Sequence, residues 1–241
     1  MKTLCKYLGG SHLYKLNTPQ SDVDERGVFM HTDPLYVFGV HTKDNVVKQN
    51  DEVDVALHEL AQFVKLACKS NTQTLECLWA PRDAFTELDP LFESLVLARR
   101  TRFVSSKHLF NSLEGYLHNE RRLALGERKG KLGGKRKDTL DKLGFSYKNF
   151  VHLFRLASCG AHFFETGTFH VSMLDFNPML HEYCMELKTD PERFDVTLLV
   201  EKADELQDQM RNSYAHAKFM YEPDYDYVAT ALKELYRSVL V

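Results

Sequence analysis

"YLGGSHLYKLNTPQSDVDERGVF", Tyr7 to Phe29, sets a Gly-Gly-Ser turn ahead of two aspartates separated by one valine. In a β-strand side chains alternate between faces, so Asp22 and Asp24 are expected to point the same way with Val23 turned into the core. Two carboxylates that converge on one point repel each other unless a cation sits between them. Hard oxygen ligands at adjacent positions suit Mg²⁺, which typically takes one or two carboxylates plus phosphate oxygens. The turn supplies a complementary half. Gly9 and Gly10 allow close approach of backbone to a ligand, and Ser11 opening a short helical segment would present N–H groups and a hydroxyl to phosphate.

Working outward, the first sixty residues differ in pattern from the rest. Leu4 to Leu8, Val23 to Met30, Leu35 to Val40 and Val53 to Leu57 read as β-prone segments. From Leu57 the period changes, with Leu57, Leu60, Ala61, Val64 and Ala67 at amphipathic-helix spacing. Helices are then expected at Thr72 to Trp79, Glu87 to Val104, Lys107 to Leu125, Tyr147 to Thr166, Pro178 to Leu187, Leu198 to Asn212 and Tyr225 to Val239. Asn177-Pro178 places a capping side chain before a proline at the first helical position, and Glu222-Pro223-Asp224 breaks the chain before the last helix. "GERKGKLGGKRKD", Gly126 to Asp138, carries four glycines and six basic residues and reads as a mobile basic loop. It is not a Walker A loop, because neither Gly-Lys pair has the required upstream glycine and following Ser or Thr. The outline is an α+β chain: a small mixed β-sheet core over 1–105, then an α-helical domain over 106–241 with the basic loop at 126–138.

Composition bounds the setting. With 241 residues, 44% of them hydrophobic, the chain can bury a sizeable core. No apolar run approaches the roughly 18 to 20 residues of a spanning helix, and "MKTLCKYLGG" is too polar for a secretory signal, so no membrane contact and a cytoplasmic location are expected. Cys5, Cys68, Cys77, Cys159 and Cys184 are scattered and form no CxxC pair, which argues against a disulfide framework or a cysteine zinc site. A net charge of −3 argues against a protein that coats nucleic acid with its whole surface. Nothing in the pattern speaks to oligomeric state.

Gly10-Ser11 followed by Asp22-Val23-Asp24 resembles the Gly-Ser and Asp-x-Asp signature of the DNA polymerase β nucleotidyltransferase superfamily. The words "GGSHLYKLNTPQSDVDERGVF" and "DVALHELAQFVKLA" are similar to a bacterial and phage branch of predicted nucleotidyltransferases that includes RNA-repair-associated members. That branch usually has Leu-Tyr-Gly-Leu where this chain has Leu13-Tyr14-Lys15-Leu16, so Lys15 is a departure; it either adds a phosphate contact or is solvated. The superfamily's third carboxylate corresponds to Asp54, with Glu52 at the same strand parity and Asp51 nearby. Glu59 suits either a supporting role or a helix N-terminus.

The similarity extends to "KNFVHLFRLASCGAHFFETG", where Lys148, His152 and Arg155 fall on one helical face, either as phosphate contacts or as a solvated stripe. Arg26 is placed to pair with Asp24 or Glu25, or to touch phosphate. The resemblance implies a metal-dependent enzyme that moves a nucleoside monophosphate from an NTP such as ATP to an acceptor hydroxyl, releasing pyrophosphate. Asp22, Asp24 and Asp54 would be the catalytic metal ligands for Mg²⁺ or Mn²⁺. Gly9, Gly10, Ser11, Arg26, Lys148, His152 and Arg155 would bind the nucleotide, and an RNA end, approached through the basic loop, is the favoured acceptor. A catalytically idle nucleotide- or RNA-binding module, or a transferase acting on a protein side chain, is the alternative.

Overall fold

The computed structural model describes residues 1–41, 46–49, 53–128 and 135–240. They form two compact units, one of residues 1–109 with 221–241 and one of residues 110–220. The sequence boundary near residue 105 lies close to the first division, but the last helix groups with the sheet unit.

The first unit is built on five strands: β1 (Lys2–Leu8), β2 (Val23–Met30), β3 (Val46–Gln49), β4 (Val53–Glu59) and β5 (Phe85–Leu88), in the order β3-β4-β2-β1-β5. Only β2 and β4 run parallel; the other neighbours are antiparallel. A parallel pair needs a crossover. Here it contains α2 (Pro34–Val37) and β3. The short helix α1 (Gly10–Leu13) joins β1 to β2, and α3 (Leu60–Cys68) and α4 (Thr72–Trp79) follow β4. Leu60, Phe63, Val64 and Ala67 of α3 are buried, as their spacing requires.

Several expectations change for local chemical reasons. Leu35 to Val40 is not a strand. Asp33 caps α2 by accepting the Leu35 N–H, and Pro34 sits at its first position, a helix-start arrangement that outweighs the β-prone residues after it. Glu87 to Val104 is not one helix. Glu87 belongs to β5, Asp89 accepts the Leu91 and Phe92 N–H groups, Pro90 begins α5 (Pro90–Leu95), and Leu97–Phe103 winds as a 3-10 stretch. A proline tolerated only in a first helical turn sets that break. Leu57 is still in β4, because Glu59 caps α3. β3 carries too few residues for a readable pattern.

The second unit is helical. The helix α6 (Ser106–Ala124) leads into it from residue 110, followed by α7 (Lys135–Leu143), α8 (Tyr147–Thr166), α9 (Pro178–Thr189) and α10 (Val196–Ala215). The expected loop over Gly126 to Asp138 is therefore helical from Lys135 onward, while residues 129–134 lie outside those described. Its charged residues are good helix formers, which composition alone conceals. Buried on nearly every side, α8 packs along α10, with Phe110 stacked on Tyr214 and edge-on to Phe164. Asn177 accepts the Leu180 N–H before Pro178, as its sequence predicts.

The final helix, α11 (Tyr225–Arg237), is capped by Asp224 and packs with the first unit, where Tyr227 donates to the Leu95 carbonyl. All five cysteines are buried and none is in a disulfide. Among the described residues no helix is long and apolar enough to cross a membrane.

Candidate active site

The site forms where β1 turns into α1 against the start of β2. The Gly9 N–H donates to the Asp24 carbonyl oxygen at 2.8 Å, which locks the turn to the strand. Gly10 has φ +57°, and a Cβ built on it would lie 1.9 Å from Asp24 Oδ2. One on Gly9 would lie 2.7 Å from Arg26 Cγ. The glycine pair is thus required by two side chains of β2, and the turn and the acidic strand are parts of one packed object.

Strand register brings the carboxylates together. Asp24 lies directly opposite Asp54 in the parallel β2–β4 pair, so both point from the same face. Arg26 bridges them: its Nη2 is 2.8 Å from Asp24 Oδ1 and 3.6 Å from Asp54 Oδ2. Of the partners open to it in the sequence, Arg26 takes Asp24 and not Glu25, which lies on the other face. Asp24 titrates above the usual carboxylate range, chiefly because burial penalises its charge. Arg26 and His12 oppose that effect, while Asp54 and Asp22 reinforce it.

Asp22 differs from the other two. It precedes the first residue of β2 and is exposed, and Val23 is only half-buried, so strand alternation does not govern this pair as expected. Its charge still reaches Asp24. Among the described residues no three His, Cys, Asp or Glu side chains are grouped closely enough to hold a metal. Asp24 and Asp54 nevertheless suit a divalent ion: they are oxygen donors, and a single cationic nitrogen already reaches both. The alternatives Asp51 and Glu52 lie outside the described residues.

Two histidines that sequence reasoning passed over belong to this neighbourhood. His58, two residues beyond the partner of Arg26 on β4, shares the face of Asp54. Burial, helped by the Arg26 charge, lowers its pKa, and its buried Nδ1 has no hydrogen-bond partner. His12 of α1 has a buried Nε2 without a partner. Strand parity with Asp54 is the signal that would have identified His58; His12 carries none. Glu59 turns out to be a helix cap, accepting the Ala61 and Gln62 N–H groups through Oε2 and the Tyr236 hydroxyl through Oε1.

Ser11 is half-buried in α1. Lys15 follows α1 with φ +56°, a left-handed conformation that glycine adopts without strain. That accounts for the glycine expected at this position, and the Lys15 side chain is exposed.

In the helical unit Lys148 and His152 are half-buried on α8, whereas Arg155 is only 1% exposed. The stripe is therefore not uniformly open, because α8 is enclosed as it passes through its unit. Arg155 Nη2 lies 3.5 Å from His152 Nδ1. Phe154 of α8 meets Tyr183 of α9, and Lys188, farther along α9, has its pKa lowered by burial and by Lys148. Lys188 thus joins Lys148 in one cationic region, a pairing that only the packing of α8 on α9 reveals. Of the basic loop, Arg128 bonds Asn119, Lys129 and Lys131 lie outside the described residues, and Lys135, Arg136 and Lys137 are in α7.

A segment of 130 residues, 50% of the chain, is 29% identical to an "Uncharacterized 38.9 kDa protein in nrdC-mobD intergenic region" of Enterobacteria phage T4, of which it covers 38%. The model of the RNA repair pathway DNA polymerase beta family, RlaP, matches residues 1–230. A match of that extent, over a chain whose Gly-Gly turn packs onto an Asp24–Asp54 strand pair, places this protein in the RlaP family.

Proposed function

We propose that the protein transfers a nucleoside monophosphate from an NTP to an acceptor hydroxyl, with an RNA end as the acceptor. The observation that carries this reading is the register that sets Asp24 opposite Asp54, with Gly10 packed on the Asp24 carboxylate. Asp24 and Asp54 would hold Mg²⁺ or Mn²⁺, with Asp22 as the exposed third carboxylate beside them. Bound there, the metal supplies charge neutralisation at the phosphates and lowers the pKa of the attacking hydroxyl. Gly10 and Ser11 orient the β and γ phosphates through backbone N–H groups and the Ser11 hydroxyl, while Gly9, its N–H held by the Asp24 carbonyl, keeps the turn against the strand. Arg26 adds a positive charge at the same face. Within the helical unit, Lys148 and Lys188 form a cationic region of the kind that attracts a polyanion. Membership in a family named for RNA repair supports the RNA end.

The test is transfer of label from each of four α-labelled NTPs, with Mg²⁺ or Mn²⁺, to RNA, protein and the enzyme itself. Label on RNA ends that disappears in Asp24→Ala and Asp54→Ala supports the reading. Label on protein would move the acceptor to a side chain. No transfer from any NTP would favour an idle binding module, the reading that fits the lack of a three-residue metal cluster among the described residues.

A further inference from the structure

Arg26 sits at the centre of a symmetrical arrangement. On β4 its direct neighbour is Ala56, whose small side chain leaves room for the arginine to lie across the strand. Two residues before Ala56 on the same face is Asp54; two residues after it is His58. Both are diagonal neighbours of Arg26, a separation within reach of a long side chain. In this structure the guanidinium takes the Asp54 side, bridging it to Asp24. On the other side, the Nδ1 of His58 is buried and makes no hydrogen bond. A buried polar atom without a partner is costly, and a neutral imidazole has one nitrogen that accepts. The base of the Arg26 side chain lies close over Gly9.

We propose that Arg26 is a two-position counter-ion: it neutralises Asp24 and Asp54 when no metal is bound and moves to His58 Nδ1 when a divalent cation takes the carboxylates. The inference rests on Asp24 and Asp54 being the metal site proposed above. It makes Arg26 a positioning residue that prevents the carboxylate pair from repelling itself apart before substrate arrives, and it makes metal binding an exchange. His58 receives the displaced guanidinium and keeps it beside the site, where it faces incoming phosphate.

The experiment is a Mn²⁺ titration, with Mn²⁺ alone as the probe, followed by electron paramagnetic resonance. It compares wild type, Arg26→Gln, His58→Phe, the Arg26→Gln/His58→Phe double variant and Asp24→Asn. Arg26→Gln should bind Mn²⁺ about twofold to fivefold more tightly, the size expected when a half-exposed ion pair no longer competes. His58→Phe should weaken binding, and should have no effect once Arg26 is gone. Arg26→Lys serves as a second variant with the charge kept but the fork lost, and should bind no more tightly than wild type. Unchanged or weaker Mn²⁺ binding in Arg26→Gln, or a His58→Phe effect that persists in the double variant, overturns the exchange while Asp24-dependent binding keeps the metal site. Mn²⁺ binding that is absent or indifferent to Asp24→Asn overturns both.

Discussion

Gly10→Ala isolates the packing that joins the phosphate turn to the acidic strand. Its φ of +57° is a left-handed conformation that costs an L-residue about 1–2 kcal/mol. The added Cβ would also lie 1.9 Å from Asp24 Oδ2, far inside contact distance, so the carboxylate must rotate away and its 2.8 Å pair with Arg26 is lost. A half-exposed ion pair is worth about 1 kcal/mol or less, so the total is about 1–3 kcal/mol. For a chain of this size that corresponds to a melting temperature lower by roughly 2–12 °C. Gly39→Ala is the control, because Gly39 has φ +76° but a Cβ added there would meet nothing within 4 Å. It carries the backbone cost alone. Thermal melts in EDTA should therefore order wild type above Gly39→Ala above Gly10→Ala. Mn²⁺ binding should be lost only in the last. Equal melting of the two variants, or a Gly10→Ala protein that binds Mn²⁺ like wild type, refutes the argument that the Asp24 carboxylate dictates this glycine.

Asp24→Asn should melt at or above wild type in EDTA at neutral pH. The folded state raises the Asp24 pKa, so it binds more protons than the unfolded chain and wild-type stability falls as pH rises through the carboxylate range; the difference should close in melts below that range, and a variant that is less stable at neutral pH and indifferent to acid contradicts it. Lys15→Gly should raise the melting temperature by about 1–3 °C, the left-handed cost relieved less the entropy that glycine adds to the unfolded chain, and a lower value rejects the strain. Tyr236→Phe removes the 2.9 Å hydrogen bond to buried Glu59 and should cost about 1–2 kcal/mol in a denaturant titration, with no loss of Mn²⁺ binding; an unchanged midpoint dismisses this tie of α11 to the α3 cap.

What could be read in advance follows physical range. The helices α4 and α8 match their expected spans to the residue, since their apolar spacing and caps are local properties. Asp54 was identifiable as a partner of Asp24 only through resemblance, because register between β2 and β4 is set by a crossover that contains a small helix and another strand. Asp22 shows the opposite case: parity predicts its direction only inside a strand, and β2 begins one residue later. The place of His58 beside Arg26 exists only once β4 lies against β2. Lys188 likewise depends on α9 packing on α8. Helix starts at Asp33-Pro34 and Asp89-Pro90 were legible from cap chemistry, yet the β-prone and apolar runs after them dominated the pattern.

These particulars converge on an energetic point about the site. Asp24 is paired and still titrates high, because burial and two neighbouring acids together outweigh Arg26 and His12. One arginine shared between two carboxylates leaves net negative charge at the strand start, and the exposed Asp22 adds to it. Surrounding structure holds the arrangement in place: the Gly9 N–H is fixed to the Asp24 carbonyl, and the strand register fixes Asp54 opposite. A scaffold that retains an under-neutralised acidic pair gives up stability for readiness to take a cation. Asp24→Asn gaining stability while losing Mn²⁺ would be the signature of that exchange, and a site built only to fasten β2 to β4 would lose stability instead.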